Sequence, residues 1–365
     1  MELPETTKDI TVSWLNEVLH ENGFLGNANI TSIEREQIGV GQGFFSDMAK
    51  LTLSFDRHSP HLPPTVIAKL PPSRPYAREM AMRGNIFERE ILFYIEVAPK
   101  SPIRTPKLFY GGINSEKLRY VLLLEDLSCY TAADPDLNGL SYEQTKMITL
   151  KMADFHIRWW NAKEIGLFTW LPTRKEVMTR DAERFKTIWD NCSRMQYFTD
   201  ELPVGGFDAG RKLIERYPLL AGVMPEDKLT IIHGDLKTDN MFFDTNTPEN
   251  PLILVDWGGT TNLGRGIYDI SYLLNSAVTT ELRRQIERDL VKIYYEYLVD
   301  RGISDYSFNE CWADYLRGLL ATTLSSVAAF SNHYNSDSKS ARYVTTTLKR
   351  RFSAIVDNDA TSILP

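Results

Sequence analysis

His233-Gly234-Asp235-Leu236-Lys237-Thr238-Asp239-Asn240, followed by Leu252-Ile253-Leu254-Val255-Asp256-Trp257, is the stretch whose reading decides the fold. Two short apolar runs here each deliver polar residues at an end. Thr230-Ile231-Ile232 leads into Asp235, which lies five residues before Asn240. Met241-Phe242-Phe243 and Leu252 to Val255 then flank the turn-rich segment Asp244 to Pro251. That pattern predicts a β-hairpin. With the loop centred near Pro248, cross-strand pairing sets Asn240 opposite Asp256 at the open end. An amide oxygen and a carboxylate held there make a hard-oxygen site suited to Mg²⁺. Asp235, on the loop before, is placed to accept a proton from a hydroxyl. A base or orienting carboxylate plus two metal-holding side chains is the catalytic part of a phosphoryl-transfer site.

Working outward, 365 residues suffice for one large or two medium domains with ample core. Apolar and charged contents are ordinary, which predicts a soluble globular protein. The formal charge is −7, from 41 basic and 48 acidic residues, and no Lys/Arg cluster offsets it. Nucleic acid is therefore not the expected partner. Cys129, Cys192 and Cys311 stand far apart with no C-x-x-C, which suits reduced thiols in the cytoplasm. The start lacks a signal-peptide pattern, and no run has the length of a membrane span, so no membrane partner is expected.

Thr11 to about Leu25 reads as a helix with Trp14, Leu15, Val18 and Leu19 on one face. The period then changes: Ala49, Leu51, Leu53 and Phe55 alternate with Lys50, Thr52 and Ser54, as in a strand. Gly39-Val40-Gly41-Gln42-Gly43-Phe44-Phe45-Ser46 sits between this strand and the preceding one. Its glycines let backbone amides approach an anion, although a hairpin turn uses glycine as well. Thr65 to Leu70 is a third strand, Pro75 to Val97 reads as one helix, and Tyr120 to Leu124 is a buried strand stopped by Glu125-Asp126-Leu127-Ser128. The remainder is mostly helical. Strands and a helix first, then a helix-rich remainder, predict an α+β fold of two lobes, divided at 125–128. Met147, Leu150, Ala153, Ile157 and Trp160 recur at helical spacing, so His156 is read with them as core.

H-G-D-x-x-x-x-N with a downstream D-W resembles the small-molecule branch of the protein-kinase-like fold: aminoglycoside phosphotransferases, choline kinases and ecdysteroid kinase-like proteins. The likeness spans roughly 38–274, and the segments K-L-P-P, E-R-E-I-L-F-Y and L-L-L-E-D-L look most like the ecdysteroid kinase-like branch. It implies an N-lobe of antiparallel sheet plus helix over 1–124 that binds nucleotide. A hinge at 125–128 would meet the adenine through the backbone of Glu125 and Leu127. A mostly helical C-lobe over 129–365 would carry the catalytic hairpin and acceptor pocket.

Val66-Ile67-Ala68-Lys69 looks like the third-strand lysine motif, in which the ammonium neutralises phosphates. The families' helix carboxylate before Phe-Tyr falls on Glu90, with Glu88 on the far side of the helix. Gly41, Gly43 and Ser46 are the implied phosphate-loop contacts. Asp235 is the implied base, Lys237 reaches the γ-phosphate or is a solvated loop lysine, and Asn240 and Asp256 hold Mg²⁺. His233 shapes the loop, and Asp269 in the G-x-x-x-x-D-[IL] element Gly264 to Ile270 is a brace. Trp257 is expected to border the site, and the helices holding Trp312, Tyr315, Phe330 and Tyr334 to build the acceptor pocket, which would then be rather aromatic and apolar.

The expected activity is an ATP- and Mg²⁺-dependent transfer to a hydroxyl of a sterol-like or other hydroxylated natural product, or of an antibiotic. Two alternatives stay open: a nucleotide-binding pseudokinase or regulatory binding protein, and a nucleotidyl transferase. The absence of a substrate loop ending in Ala-Pro-Glu speaks against a protein kinase. Nothing in the sequence sets the oligomeric state.

Overall fold

Period-two burial builds the first part of the chain. The computed structural model describes residues 2–38, 46–57, 61–133, 137–333 and 339–365. Helix α1 (Val12–Glu21) precedes β1 (Ile30–Ile38), β2 (Asp47–Phe55) and β3 (Thr65–Leu70). Helices α2 (Pro75–Arg83) and α3 (Ile86–Leu92) lead to β4 (Leu108–Asn114) and β5 (Arg119–Glu125). The five strands lie in the order β1-β2-β3-β5-β4, with every neighbouring pair antiparallel.

Thr11 caps α1, its hydroxyl accepting the Trp14 N–H at 3.1 Å. The stripe Trp14, Leu15, Val18 and Leu19 packs into one cluster with Leu51, Leu53, Val66, Ala68, Leu70, Val121 and Leu123. Because alternate strand residues point to opposite faces, Ile67, Lys69, Tyr120 and Leu122 face the other way. There Phe87 of α3 stacks on Tyr120 with ring centroids 4.4 Å apart.

The single helix expected over Pro75 to Val97 is broken. Asn85 takes a left-handed φ of 49° between α2 and α3, a conformation asparagine tolerates better than most residues. Beyond α3 the chain continues through a π-helical turn, Phe93–Val97.

After the two-residue β6 (Thr131–Ala132) come α4 (Tyr142–Trp159), α5 (Arg174–Cys192), α6 (Gln196–Asp200) and α7 (Gly206–Gly222). Strands β7 (Thr230–Ile232), β8 (Met241–Phe243), β9 (Leu252–Leu254) and β10 (Asn262–Gly264) are short. Helices α8 (Ile267–Ser276), α9 (Thr280–Asp300), α10 (Phe308–His333) and α11 (Lys339–Asp357) complete the chain. This is the α+β composition the sequence predicted. The expected hairpin forms: β8 and β9 are sheet neighbours, and the Asp244 N–H donates to the Pro251 carbonyl at 2.7 Å.

Two compact units result, Met1–Thr131 with Phe242–Thr260, and Ala132–Met241 with Thr261–Pro365. The segment 242–260 joins the first for physical reasons. Leu254 N–H donates to the Arg104 carbonyl at 3.0 Å, and Trp257 stacks on Phe93 at 4.2 Å.

In the second unit α8 is central, with all ten of its residues buried. Gly318 of α10 lets it come close, since a Cβ there would lie 2.4 Å from the Ser271 hydroxyl. In α4 the buried face is Ile148, Met152, Ala153, Phe155, His156 and Trp159. That is rotated from the expected stripe, of which Ala153 alone is fully buried. Thr145 and Thr149 explain the rotation. Their hydroxyls donate to carbonyls one turn back at 2.7 and 2.8 Å, so both can be buried without an unpaired group.

Candidate active site

In the first unit, the alternation of β3 turns Lys69 away from the α1 core and toward α3. Its ammonium lies 2.7 Å from Glu90 Oε1 and 3.0 Å from Asp256 Oδ1. Glu90 also accepts the Tyr120 hydroxyl at 2.9 Å. Glu88, the other carboxylate of the helix, is only partly buried. Burial works against the Lys69 ammonium, but Asp256 and Glu90 together outweigh it and hold the lysine protonated above its usual range. Burial also raises the Glu90 carboxyl, even beside Lys69. The buried Glu90 keeps its charge partner because Lys69 lies against it.

Asp256 has φ 66°, a left-handed backbone that is costly for a residue with a Cβ. Its side chain is 48% exposed, whereas the next residue turns inward. Trp257 was expected to border the site; instead it is fully buried, parallel to Phe93, its indole N–H donating to the Leu254 carbonyl at 3.1 Å. The next residue, Gly258, lets the chain pass close to α3. A Cβ there would meet the Ile86 carbonyl at 2.9 Å and Glu90 Cβ at 3.1 Å.

In the second unit, Asp269 organises the loop after β7. Its two carboxylate oxygens accept the His233 and Gly234 N–H groups, each at 2.8 Å. His156 Nε2 stands 3.2 Å from the same carboxylate, and His156 Nδ1 is 2.9 Å from the Tyr294 hydroxyl. His156 is therefore more than the core filler its helical spacing suggested, because it links α4, α8 and α9 in a buried polar chain. Gly266 makes room for it: a Cβ there would lie 2.4 Å from the Tyr294 hydroxyl and 2.6 Å from the His156 ring. His233 shapes the loop further, its Nδ1 accepting the Asp235 N–H at 3.2 Å.

Asp235 follows, half-buried. Asn240 donates to its carbonyl at 2.9 Å and to Oδ2 at 3.2 Å, while Lys237 Nζ stands 3.0 Å from Oδ2. The Tyr272 hydroxyl donates to Oδ1. Burial is the largest influence and opposes the Lys237 charge, but Asp235, the nearest carboxylate, and the other groups around it together outweigh burial and raise the ammonium well above the usual lysine range. Tyr272 is pushed up to about 12, by burial first. Asp239 is exposed. Of the expected metal pair, Asn240 belongs to this unit and Asp256 to the first.

Of the remaining candidates, Gly41 and Gly43 lie outside the described residues, and Ser46 immediately precedes β2, partly buried. Glu125 ends β5; its carboxylate meets Arg104 at 3.2 Å and accepts the Lys107 N–H at 3.1 Å. Leu127 is buried, and its carbonyl accepts the Tyr130 N–H at 2.9 Å. Among the aromatic residues of the expected acceptor-pocket helices, Tyr315 and Phe330 are fully buried, the first bonding Glu287 at 2.9 Å and the second packed on Tyr197 and Phe198. Trp312 is partly buried on Tyr315, and Tyr334 lies outside the described residues. Sequence reasoning missed Tyr120, Tyr272 and Tyr294. One signal was available: Tyr272 is one helical turn beyond Asp269 and shares its face.

Comparison with solved structures gives the fold. A putative aminoglycoside phosphotransferase from Ralstonia eutropha superposes with a TM-score of 0.56 at 16% identity, over 96% of each chain. The GDP complex of an aminoglycoside 2′-phosphotransferase mutant gives 0.55 at 15% identity, over 93% of this chain and 99% of the other. Choline kinase from Cryptosporidium parvum gives 0.54 at 11% identity, over 91% and 93%. The fold is therefore that of the kinase-like aminoglycoside phosphotransferases and choline kinases. A Caenorhabditis elegans protein named uncharacterized oxidoreductase dhs-27 is 22% identical over 358 residues. That alignment covers 88% of this chain, which spans only 42% of the relative's length. The model of the ecdysteroid kinase-like family matches residues 40–158 and 168–304, more than half of the chain. By that match, the protein belongs to the ecdysteroid kinase-like family.

Proposed function

We propose that this protein is an ATP- and Mg²⁺-dependent kinase that transfers a γ-phosphate to a hydroxyl of a small molecule. The observation that carries the reading is the strand lysine Lys69, held 2.7 Å from the α3 carboxylate Glu90 and 3.0 Å from Asp256. A fixed cation at that place suits the α- and β-phosphates of a nucleotide. Membership in the ecdysteroid kinase-like family supports it, as does a kinase-like fold whose relatives include a GDP complex. On this reading the backbone at 125–128 is the hinge that meets the adenine, between an N-lobe at 1–124 and a C-lobe at 129–365. Gly41, Gly43 and Ser46 complete the nucleotide contacts.

The donor set fits Mg²⁺. Asn240 gives its Nδ2 to Asp235, which leaves the amide oxygen as its ligand atom, and Asp256 offers a half-exposed carboxylate. Both are hard oxygens. A metal bound by them would neutralise charge on the transferring phosphates.

The chain's own groups do the rest. Asp235 orients the acceptor hydroxyl and receives its proton, and the protonated Lys237 offsets negative charge on the γ-phosphate. Because phosphoryl transfer passes through a loose transition state, alignment and charge neutralisation dominate. The acceptor class we propose is a sterol-like or other hydroxylated natural product. Among the described residues no helix is long and apolar enough to cross a membrane.

Incubating the protein with Mg·ATP and a metabolite extract, followed by mass spectrometry, should reveal a species heavier by one phosphate. Asp235→Asn should keep nucleotide binding while lowering the transfer rate by roughly 10²–10⁴-fold. Nucleotide binding with no phosphorylated product would make the protein a binding protein, and a product carrying a nucleotidyl group would make it a nucleotidyl transferase.

A further inference from the structure

Both oxygens of the Asp235 carboxylate are engaged within its own unit, but by partners of different kinds. Oδ2 faces Lys237 Nζ at 3.0 Å and Asn240 Nδ2 at 3.2 Å. These two come from the same loop as Asp235 and move with it. Oδ1 accepts the hydroxyl of Tyr272, which lies 37 residues further on, in α8. That helix is buried on every side, and it also carries Asp269, the acceptor of the His233 and Gly234 N–H groups. Asp269 and Tyr272, three residues apart, share a helix face. One rigid helix thus grips the loop twice, by its backbone at 233–234 and by the working side chain at 235.

Tyr272 is itself immobilised. It is 7% exposed, and the Arg351 guanidinium of α11 lies 4.2 Å over its ring. Arg351 is fixed in turn, donating to the Thr322 carbonyl at 2.5 Å and to the Ser325 hydroxyl at 2.6 Å. An aspartate on a short loop has a broad, two-fold χ2 well, so donors riding on the same loop leave its plane free to turn. A phenol anchored in a packed helix does not.

We propose that Tyr272 is a positioning residue for phosphoryl transfer, its hydroxyl fixing the plane of the Asp235 carboxylate toward the acceptor hydroxyl. The inference rests on the kinase reading above. It assigns to Tyr272 no bond-making step; the residue acts through Asp235. Its opposite is a phenol that merely occupies Oδ1 until an acceptor displaces it, in which case removal frees the carboxylate and speeds the reaction.

The test uses the full chain with Mg·ATP and water as the acceptor, following ADP release. Tyr272→Phe should lower kcat by roughly tenfold to a hundredfold, as for a misplaced catalytic group, with KM for Mg·ATP within about twofold of wild type. In an Asp235→Ala background, the Phe substitution should cost nothing more, since no carboxylate is left to position. An unchanged or raised kcat for Tyr272→Phe, or a further loss in the double variant, overturns the inference. If the wild-type protein releases no ADP, the kinase reading fails, and a second measurement decides the phenol contact separately. The ligand-free protein should show a downfield, slowly exchanging phenol proton in its ¹H NMR spectrum, absent from both Tyr272→Phe and Asp235→Ala. Its absence from the wild type overturns the contact.

Discussion

Lys69 and Glu90, 21 residues apart in the chain, meet at 2.7 Å on the face of the sheet opposite α1. The strand period sends Val66, Ala68 and Leu70 into the α1 cluster and leaves Lys69 no direction but toward α3. Removing Glu90 leaves Lys69 with Asp256 alone and unpairs the buried Tyr120 hydroxyl. Glu90→Ala should cost about 1–3 kcal/mol in stability, the usual penalty for an unsatisfied buried polar group. Urea denaturation measures it. Glu90→Gln keeps an acceptor for the Tyr120 hydroxyl and should fold well, but with weaker nucleotide binding by fluorescence titration. Wild-type affinity in that variant would remove the pair from the nucleotide site.

Asp256 combines an exposed carboxylate with a left-handed backbone, and the two features can be separated by mutation. Asp256→Ala and Asp256→Gly should both abolish turnover and weaken binding of the Mg-nucleotide, while EDTA does the same to the wild type. Of the two, glycine should be the more stable by about 1 kcal/mol, because it carries no Cβ into positive φ. Near-normal turnover of either variant at limiting Mg²⁺ would exclude Asp256 as a metal ligand.

Asp269 accepts one N–H on each oxygen, from Gly234 and His233. Asp269→Asn replaces one acceptor with an NH₂ that faces a donor, in a site without water access. We expect a loss of about 2–4 kcal/mol, larger than for an exposed Asp-to-Asn change, from one broken charge-assisted bond and one unpaired buried N–H. Thermal denaturation checks this, and a melting temperature within a degree of wild type would contradict it.

Asp126 gives a pH dependence with a definite sign. Burial alone would raise its carboxyl, but the Lys50 ammonium at 2.8 Å and the Ser128 N–H pull it down to about 2, from an ordinary 3.8. A carboxyl depressed on folding stabilises the native state above its unfolded pKa, and that contribution is lost as pH falls through the folded value. Between about pH 4 and pH 2, therefore, the wild type should lose stability more steeply than Asp126→Asn. Parallel acid limbs in urea titrations across that range would show that the contact adds nothing.

Much of this molecule was legible in local pattern. The alternation in β2, the apolar run of β5, the α1 stripe and the β8–β9 turn all follow from local residue patterns, which depend on no distant partner. The Lys69–Glu90 pairing was legible through the family resemblance, which named the strand lysine and the helix carboxylate, with helix periodicity setting Glu88 on the other side. Where partners compete for a face, local pattern failed. The α4 stripe rotated because threonine hydroxyls found carbonyls one turn back. Trp257 turned inward, where Phe93 offered a parallel ring.

The sequence by itself named the groups proposed for the chemistry: a strand lysine, two loop carboxylates and an amide at fixed spacing. Spacing, however, cannot say what holds such groups still. Only the tertiary structure joined Asp269, His156 and Tyr294 from three helices behind the loop, and set the Tyr272 phenol against Asp235. A buried polar group must find its hydrogen-bond partner wherever the packing brings one, and that partner's place in the chain is set by the fold, not by any local period.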